Sequence, residues 1–255
     1  MAVLALVVYL MGGDPTVILN SGGQGQPTDA GAPASAGAPG APPQDQMSQF
    51  VSVVLADTED TWQSIFKQKF GRDYEDPKLV LFTGAVQSAC GVAQSAMGPF
   101  YCPNDHAVYI DLAFYREMKE RFGAPGDFAQ AYVIAHELGH HVQHLLGIEQ
   151  RVRQLQESRP GSANQMSVAL ELQADCFAGV WAKSTEQRRI IDQSDVDAGM
   201  RAAAAVGDDR LQKRATGRVS PESFTHGSSA QRTQWFQSGF EAGQMSACDT
   251  FAATR

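Results

Sequence analysis

Residues 136–140 read His-Glu-Leu-Gly-His and place two imidazoles and a carboxylate at a spacing that suits a metal ion. The surrounding apolar stretch predicts a helix over residues 128–146, with Asp127 as its N-cap and Gly147 just beyond its C-terminus. On a helix, residues four apart share one face, so His136 and His140 can bind the same ion. Glu137 would then stand beside that ion, where it could accept a proton. The pattern therefore predicts a zinc site with an adjacent base.

The alternative is that both histidines are ordinary polar residues of an amphipathic helix. The apolar side chains of this helix form a stripe that runs partly alongside the pair. They are Tyr132, Val133, Ala135, Leu138, Val142 and Leu145. This stripe would half-bury the imidazoles, and buried imidazoles without partners are costly, so the metal site is favoured.

A catalytic zinc ion needs a third protein ligand and one open position. His144 is excluded, because eight helical residues separate it from His136 by about 12 Å. A second predicted helix, over residues 167–182, carries Glu171 and Asp175 on one face. We expect Glu171 to bind the metal and Asp175 to accept the outer N–H of a ligand histidine. The alternative is a solvated helix face.

These residues resemble the gluzincin arrangement of zinc peptidases, and longer stretches resemble the neutral zinc metallopeptidase family of bacteria. The stretches are Gly98–Pro103, Val108–Leu112, Gly126–His136, Glu171–Gly179, Gly207–Leu211 and Phe224–Ser228. The resemblance runs from about Gln49 to the C-terminus. It implies a membrane-tethered hydrolase that uses one zinc ion. Zinc would activate a water molecule, and Glu137 would accept its proton and later return it to the leaving amine.

Residues 225–227 (Thr-His-Gly) and Arg232 resemble a Thr-His-Pro segment with a downstream Arg in some membrane-associated gluzincins, with glycine here in place of proline. The resemblance implies that His226 donates to the developing oxyanion. Arg232 would anchor the loop or bind a substrate carboxylate. Alternatively His226 caps a helix and Arg232 is surface charge, and Tyr109 or Tyr101 could be the oxyanion donor instead.

The other chemically capable residues are predicted to be structural or exposed. His106 lies in a turn signal, and His141 points away from the ligand pair. Asp208 and Asp209 follow a glycine and read as turn and helix-cap residues. We assign none of them to catalysis.

A hairpin is predicted from strands at residues 98–102 and 107–112, joined by a turn at residues 103–106. Peptidases of this kind hold substrate as an extended strand along a sheet edge, and residues 107–112 are the strongest candidate for that edge. The alternative is a strand that only completes the core.

The remaining patterns supply a framework. They predict helices at residues 47–70, 114–122 and 195–206 and a strand at residues 79–82. We expect an α+β fold: a helix-dominated, zincin-like domain with a small antiparallel sheet, over residues 47–255. A net charge of −8 without a cluster of Lys and Arg argues against nucleic acid as a partner. The expected partner is a peptide or protein substrate.

The N-terminal region predicts attachment to a membrane. Residues 1–19 are largely apolar, and residues 20–46 form a Gly-, Ala- and Pro-rich stretch that predicts a disordered linker. The apolar run is shorter than the roughly 20 residues that span a bilayer, and no basic residue precedes it. Because the resemblance implies a basic segment and an anchor, we expect the chain to start downstream of the natural start. A cleaved signal peptide and a buried helix are the alternatives.

Four cysteines fit an oxidising compartment. Cys90 and Cys102 are close enough in sequence for a small disulfide loop, which would leave Cys176 to pair with Cys248. Free buried thiols are the alternative. We therefore expect a single-pass membrane protein with an extracytoplasmic catalytic domain, or else a secreted protein.

Three functions are compatible with these patterns. The first, which we favour, is a membrane-tethered zinc peptidase. The second is an inactive relative that binds zinc and acts as an interaction module. The third is a zinc hydrolase that cleaves a non-peptide amide.

Overall fold

The computed structural model describes residues 46–94, 98–114 and 126–252. The predicted anchor, nearly all of the predicted linker and most of the predicted helix at residues 114–122 lie outside these ranges. Within them, the helices are α1 (Gln46–Phe70), α2 (Asp127–Leu145), α3 (Ile148–Ser158), α4 (Ala163–Gln187), α5 (Gln193–Ala205), α6 (Asp208–Thr216) and α7 (Ser229–Ala242). None of the helices in the described ranges is both long and apolar enough to cross a membrane.

The strands are β1 (Lys78–Phe82), β2 (Ala85–Ser88), β3 (Gly91–Gln94), β4 (Phe100–Cys102) and β5 (Ala107–Asp111). β2 and β3 form a separate hairpin, and the larger sheet has the order β1-β5-β4. The predicted hairpin of β4 and β5 is confirmed, with Phe100 opposite Tyr109.

The prediction of a purely antiparallel sheet is wrong in one respect, because β1 pairs parallel to β5 and makes the sheet mixed. β5 is therefore the central strand, and every one of its residues is buried. A buried strand must satisfy the backbone groups on both of its edges. Consequently residues 107–112 cannot offer a free edge to a substrate, and that prediction is wrong. In the described sheet β4 is an edge strand.

Helix α2 is the central helix of the domain and is buried over most of its circumference. It packs against α1, α4, α5 and the sheet, and its apolar side chains join the main core with Ile110, Trp181 and Phe236. Gly139 allows α2 to approach α4 closely, because a Cβ there would lie 2.9 Å from the Cα of Ala174. This close contact brings the two predicted metal-ligand helices together.

The ends of α2 were predicted with partial success. The helix begins at Asp127, so the N-cap is Gly126, whose φ of 118° favours glycine. The prediction of Asp127 as N-cap is therefore wrong, although a carboxylate in the first turn still favours the helix dipole. Gly147 follows the C-cap in the left-handed conformation, as predicted.

All four cysteines are paired, Cys90 with Cys102 and Cys176 with Cys248, in agreement with the predicted pairs. The second bond joins α4 to the C-terminal segment, and it lies within an apolar cluster with Trp62, Phe66 and Phe177. The first bond fastens the β2–β3 hairpin to β4.

Candidate metal centre

Three side chains from α2 and α4 converge on one point. Nε2 of His136 lies 3.2 Å from Oε2 of Glu171, and Nε2 of His140 lies 3.6 Å from Oε1 of the same carboxylate. Among the described residues, this is the one cluster of at least three His, Cys, Asp or Glu side chains whose donor atoms are close enough to hold a metal ion. The rings of His136 and His140 are 4.8 Å apart at an angle of 87°, so both nitrogens face the same space. Two imidazoles and a carboxylate are a donor set that fits zinc.

The outer nitrogen of His136 is held by Asp175, the residue that sequence analysis assigned to this role. Nδ1 of His136 lies 2.9 Å from Oδ1 of Asp175, whose side chain is inaccessible to solvent. The carboxylate also accepts hydrogen bonds from the hydroxyl of Tyr132 and from Nε and Nη2 of Arg232. Because an ionised carboxylate only accepts, Nδ1 of His136 donates to Asp175, and Nε2 is the nitrogen directed at Glu171, where a metal ion can replace its proton.

A different residue holds His140. Nδ1 of His140 lies 2.9 Å from Oε1 of Gln143, while the amide nitrogen of Gln143 donates to the carbonyl of Leu170 and to the side chain of Gln173. Gln173 in turn donates to the carbonyl of Cys248, which belongs to a disulfide. These bonds fix the orientation of Gln143, so Nδ1 of His140 is the donor and its Nε2 also faces the cluster.

The charges of the cluster favour a bound cation. Burial lowers the pKa of His136, but the carboxylates of Asp175 and Glu171 outweigh this effect and raise the pKa to about 9. Burial raises the pKa of Glu171, yet His140, His226 and His136 hold it well below its usual value. The carboxylate is therefore ionised, and a metal ion binding below pH 9 must displace a proton from His136.

Glu137 faces the same cleft from α2 but is itself buried, at 8% exposure. Burial raises the pKa of its carboxyl, although His136 and His140 oppose the shift, and the backbone N–H of Tyr101 in β4 donates to it. A buried carboxylate with a raised pKa, held beside the ligand pair by a fixed donor, is placed to accept a proton and to return it.

His226 also lines the cleft and belongs to the loop between α6 and α7. Its Nδ1 is 3.3 Å from Oδ1 of Asp208, and the other oxygen of Asp208 accepts the backbone N–H groups of Thr225, His226 and Gly227. Burial lowers the pKa of His226, but the carboxylates of Glu171 and Asp208 outweigh it and raise the pKa. Asp208 therefore fixes this loop and favours the protonated imidazole.

The loop differs from the Thr-His-Pro segment that it resembles. Gly227 has a φ of 94°, which proline cannot adopt, and its N–H bonds to Asp208. The likeness therefore does not extend to the backbone conformation. His226 does not cap a helix here, since Ser228 is the N-cap of α7.

Two other predictions for the site need correction. Arg232 is 4% exposed and bonds to Asp175 with two nitrogens, so it is neither surface charge nor free to bind a substrate carboxylate. The hydroxyl of Tyr109 donates to Asp105 at 2.7 Å, away from the cleft. The hydroxyl of Tyr101 lies 2.9 Å from Nδ1 of His141. Neither tyrosine is placed as an oxyanion donor.

The cleft has a volume of about 410 Å³ and is open on one side. Gly98, Pro99 and residues of edge strand β4 line it, together with the apolar residues Leu170, Val206 and Leu211. The three candidate metal ligands and Glu137 line the same cleft. The arrangement can hold a metal ion, a base and an extended ligand together.

His106 and His141, which were predicted to be structural or exposed, do not line this cleft. His141 is fully buried, with Nε2 bonded to the carbonyl of Glu75 at 2.6 Å, and burial lowers its pKa to about 4. His106 lies in the turn between β4 and β5 and is partly exposed, as predicted.

Sequence analysis missed two residues that shape the site. Gln143 was assigned no role, because its contacts with Leu170 and Gln173 depend on how α2 meets α4. Asp208 was assigned only to turn chemistry. Its position in the first turn of α6, after Gly207, gave that signal, whereas its contact with His226 depends on a loop that returns 18 residues later.

Comparison with known proteins identifies a family and several relatives to which the chain is similar. Residues 1–251 match the model of the family described as "Putative neutral zinc metallopeptidase". The uncharacterized protein YpfJ of Escherichia coli strain K12 is 55% identical over 211 residues, which cover 82% of this chain and 73% of that protein. The uncharacterized protein Rv2575 of Mycobacterium tuberculosis strain H37Rv is 46% identical over 191 residues, which cover 71% of this chain and 64% of that protein. No solved structure matches the chain.

Proposed function

The chain belongs to the neutral zinc metallopeptidase family, and from this premise we propose that it is a zinc-dependent peptidase that cleaves peptide bonds with Glu137 as general base. The observation that carries the proposal is the approach of Glu171, from α4, to within 3.2 Å of His136 and 3.6 Å of His140 on α2. Glu171 is 31 residues from His140, so only the fold brings them together.

His136, His140 and Glu171 would hold the zinc ion. When bound, zinc supplies a Lewis acid that polarises the peptide carbonyl and activates a water molecule. Asp175 and Gln143 keep the two imidazoles in the tautomer that presents Nε2. With Arg232 behind Asp175, the ligand side chains are held before any ion arrives, so little rearrangement is needed on binding.

Glu137 accepts the proton of the attacking water and then gives it to the leaving amine. Its burial disfavours the charged form and thus raises its pKa toward the range in which both transfers are efficient. The N–H of Tyr101 keeps the carboxylate directed at the cleft. This fixed base also supports catalysis over the alternative of an inactive zinc-binding relative.

His226 is our proposed oxyanion donor. It lines the cleft, and the carboxylates of Glu171 and Asp208 favour its protonated form. A protonated imidazole directed at the carbonyl oxygen would stabilise the charge that develops there. Asp208 is the residue that positions it.

We propose that the substrate is an extended polypeptide segment that lies along β4. In the described sheet β4 pairs only with β5, and its residues Phe100 and Tyr101 line the cleft. Backbone groups at a strand edge bind a peptide main chain without requiring a particular sequence. The apolar residues Leu170, Val206 and Leu211 of the cleft would receive side chains of the substrate.

We also propose that the catalytic domain works outside the cytoplasm, tethered through residues 1–19 and the linker at residues 20–46. Two disulfides support an oxidising compartment. Cell fractionation with a C-terminal reporter tests this: a tethered protein follows the membrane fraction, and a secreted protein appears in the soluble extracytoplasmic fraction.

The function is tested by incubating the zinc-loaded full chain with a peptide library, beside Glu137→Gln and the exposed control Glu157→Gln. We expect cleavage by the wild type and the control, and a rate at least about 100-fold lower for Glu137→Gln with its zinc retained. Undiminished cleavage by Glu137→Gln would remove Glu137 as the base. Zinc binding without cleavage of peptides would favour the non-peptide hydrolase if amides are cleaved, and the interaction module if they are not.

A further inference from the structure

A second pair of histidines meets at the C-terminal end of α2. Nε2 of His144, in the last turn of α2, is 3.1 Å from Nε2 of His106, in the turn between β4 and β5. Both side chains are partly exposed, at 30% and 38%. Neither residue belongs to the cluster around Glu171.

The outer nitrogens of this pair are both occupied by carboxylates. Nδ1 of His106 is 3.3 Å from Glu75, and Nδ1 of His144 is 3.3 Å from Glu149. Ionised carboxylates only accept hydrogen bonds, so each Nδ1 carries the proton of its neutral ring. When both rings are neutral, two Nε2 lone pairs face each other, and a proton or a metal ion between them removes their repulsion.

The rings meet at an angle and not end to end. Their centroids are 4.7 Å apart while the nitrogens are 3.1 Å apart. A straight N–H···N bond would separate the centroids by the nitrogen distance plus the depth of both rings, which is more than is observed. The centroid distance instead matches the 4.8 Å between His136 and His140, the pair that faces Glu171.

The backbone conformation of His106 places its imidazole against the end of α2. Its φ is 54°, in the left-handed region that non-glycine residues seldom occupy. Hairpin turns commonly contain one residue in this conformation, and histidine is among the non-glycine residues that tolerate it. Here the placement brings the imidazole over the last turn of α2.

We propose that His106 and His144 form a second metal site, which binds a divalent transition-metal ion of the zinc, nickel and copper class through both Nε2 atoms. Imidazole is a favourable ligand for these ions, and carboxylates that hold the outer nitrogens are the usual support for such ligands. Water molecules would complete the coordination, because both side chains are accessible. The site does not depend on the proposed peptidase activity.

An ion at this site would fasten the β4–β5 turn to α2. This turn follows directly on β4, whose Tyr101 donates to Glu137. The bound ion would therefore fix the edge strand relative to the helix that carries the base. With two protein ligands instead of three, the site should bind zinc more weakly than the cluster of His136, His140 and Glu171.

Titration of the metal-free full chain with Zn²⁺, followed by calorimetry, tests the proposal. We expect the wild type to bind two equivalents, the second at least about ten-fold more weakly than the first. His106→Asn and His144→Asn should each lose the weaker equivalent and keep the tighter one. Glu171→Gln should lose the tighter equivalent and keep the weaker one, so the two sites can fail separately.

His106→Asn is informative because asparagine tolerates the left-handed conformation, so the turn should remain folded. Asn104→Ala, in the same turn, is the matched control and should keep both equivalents. A single equivalent in the wild type would overturn the proposal, as would a second equivalent that survives in both histidine variants. Either result would mean that a shared proton, without a metal ion, holds His106 and His144 together.

Discussion

Asp175 and Arg232 form an ion pair with almost no contact with solvent: Nε of Arg232 lies 2.8 Å from Oδ2 of Asp175, and their side chains are 5% and 0% exposed. The same carboxylate bonds to Nδ1 of His136. The pair therefore joins the packing of α4 and α7 to the orientation of a metal ligand. The free energy of unfolding and the affinity for zinc should both depend on this ion pair.

Asp175→Asn should lower both quantities. It leaves the guanidinium of Arg232 buried without a counter-charge, which typically costs about 3–5 kcal/mol of unfolding free energy. It also weakens the support of His136, so zinc affinity should fall about 10–100-fold. Denaturant unfolding and a zinc competition assay measure the two effects.

Asp73→Asn, which breaks the exposed pair with Lys67, is the control and should change stability by less than about 1 kcal/mol. A change in Asp175→Asn no larger than in this control would refute the role of the buried pair.

Gly139→Ala should disturb the contact between the two ligand helices. Its Cβ would lie 2.9 Å from the Cα and 3.0 Å from the carbonyl oxygen of Ala174, so α2 and α4 must move apart. We expect a loss of about 1–3 kcal/mol, since overpacking outweighs the helix propensity of alanine, with a parallel loss of zinc affinity. At Gly161 a Cβ meets no atom within 4 Å, so Gly161→Ala should leave both quantities nearly unchanged. Equal effects of the two substitutions would show that the helices do not meet at Gly139.

His141 should make the fold acid-sensitive. Burial lowers its pKa to about 4 in the folded chain, from 6.5 in the absence of burial. Between these values the unfolded chain binds more protons, so stability is complete above about pH 6.5 and declines as the pH falls toward 4. The decline attributable to His141 is on the order of 3 kcal/mol. Urea unfolding between pH 4 and 7 should show a shallower pH dependence for His141→Gln than for the wild type. Parallel curves for the two proteins would show that His141 does not cause it.

His226 should affect the rate of cleavage more than the binding of substrate. His226→Ala should lower kcat about 100- to 1000-fold, as expected for the loss of an oxyanion donor, with KM and zinc content close to those of the wild type. Asp208→Asn should produce part of this loss, because it loosens the loop that carries His226. Glu222→Gln, on the same connection and exposed, is the control. A rise in KM at constant kcat would instead assign His226 to substrate binding.

The sequence predicted the parts of this site that follow from helix periodicity. His136 and His140 share a face because they are four residues apart, and Glu171 and Asp175 do so for the same reason. The disulfides and the β4–β5 hairpin could also be predicted. Cys90 and Cys102 are close in the sequence, which leaves Cys176 to pair with Cys248. Turn residues between the two strands indicate the hairpin.

Features that depend on how distant elements meet could not be predicted. The parallel pairing of β1 with β5 leaves no local pattern, so the wrong strand was taken as the edge. Gln143 and Asp208 act through contacts with Gln173 and His226, which only the folded chain reveals. The ion pair of Arg232 with Asp175 could not be predicted for the same reason. The two residues are 57 positions apart in the sequence.

The central claim is that Glu171 completes a metal site with His136 and His140, and zinc affinity measured against a chromophoric chelator tests it most directly. The wild type and the exposed control Glu157→Gln should bind the more tightly held zinc ion with equal affinity. Glu171→Gln should bind it at least about 100-fold more weakly, a greater loss than that from removing a supporting residue. Unchanged tight binding by Glu171→Gln would contradict the account.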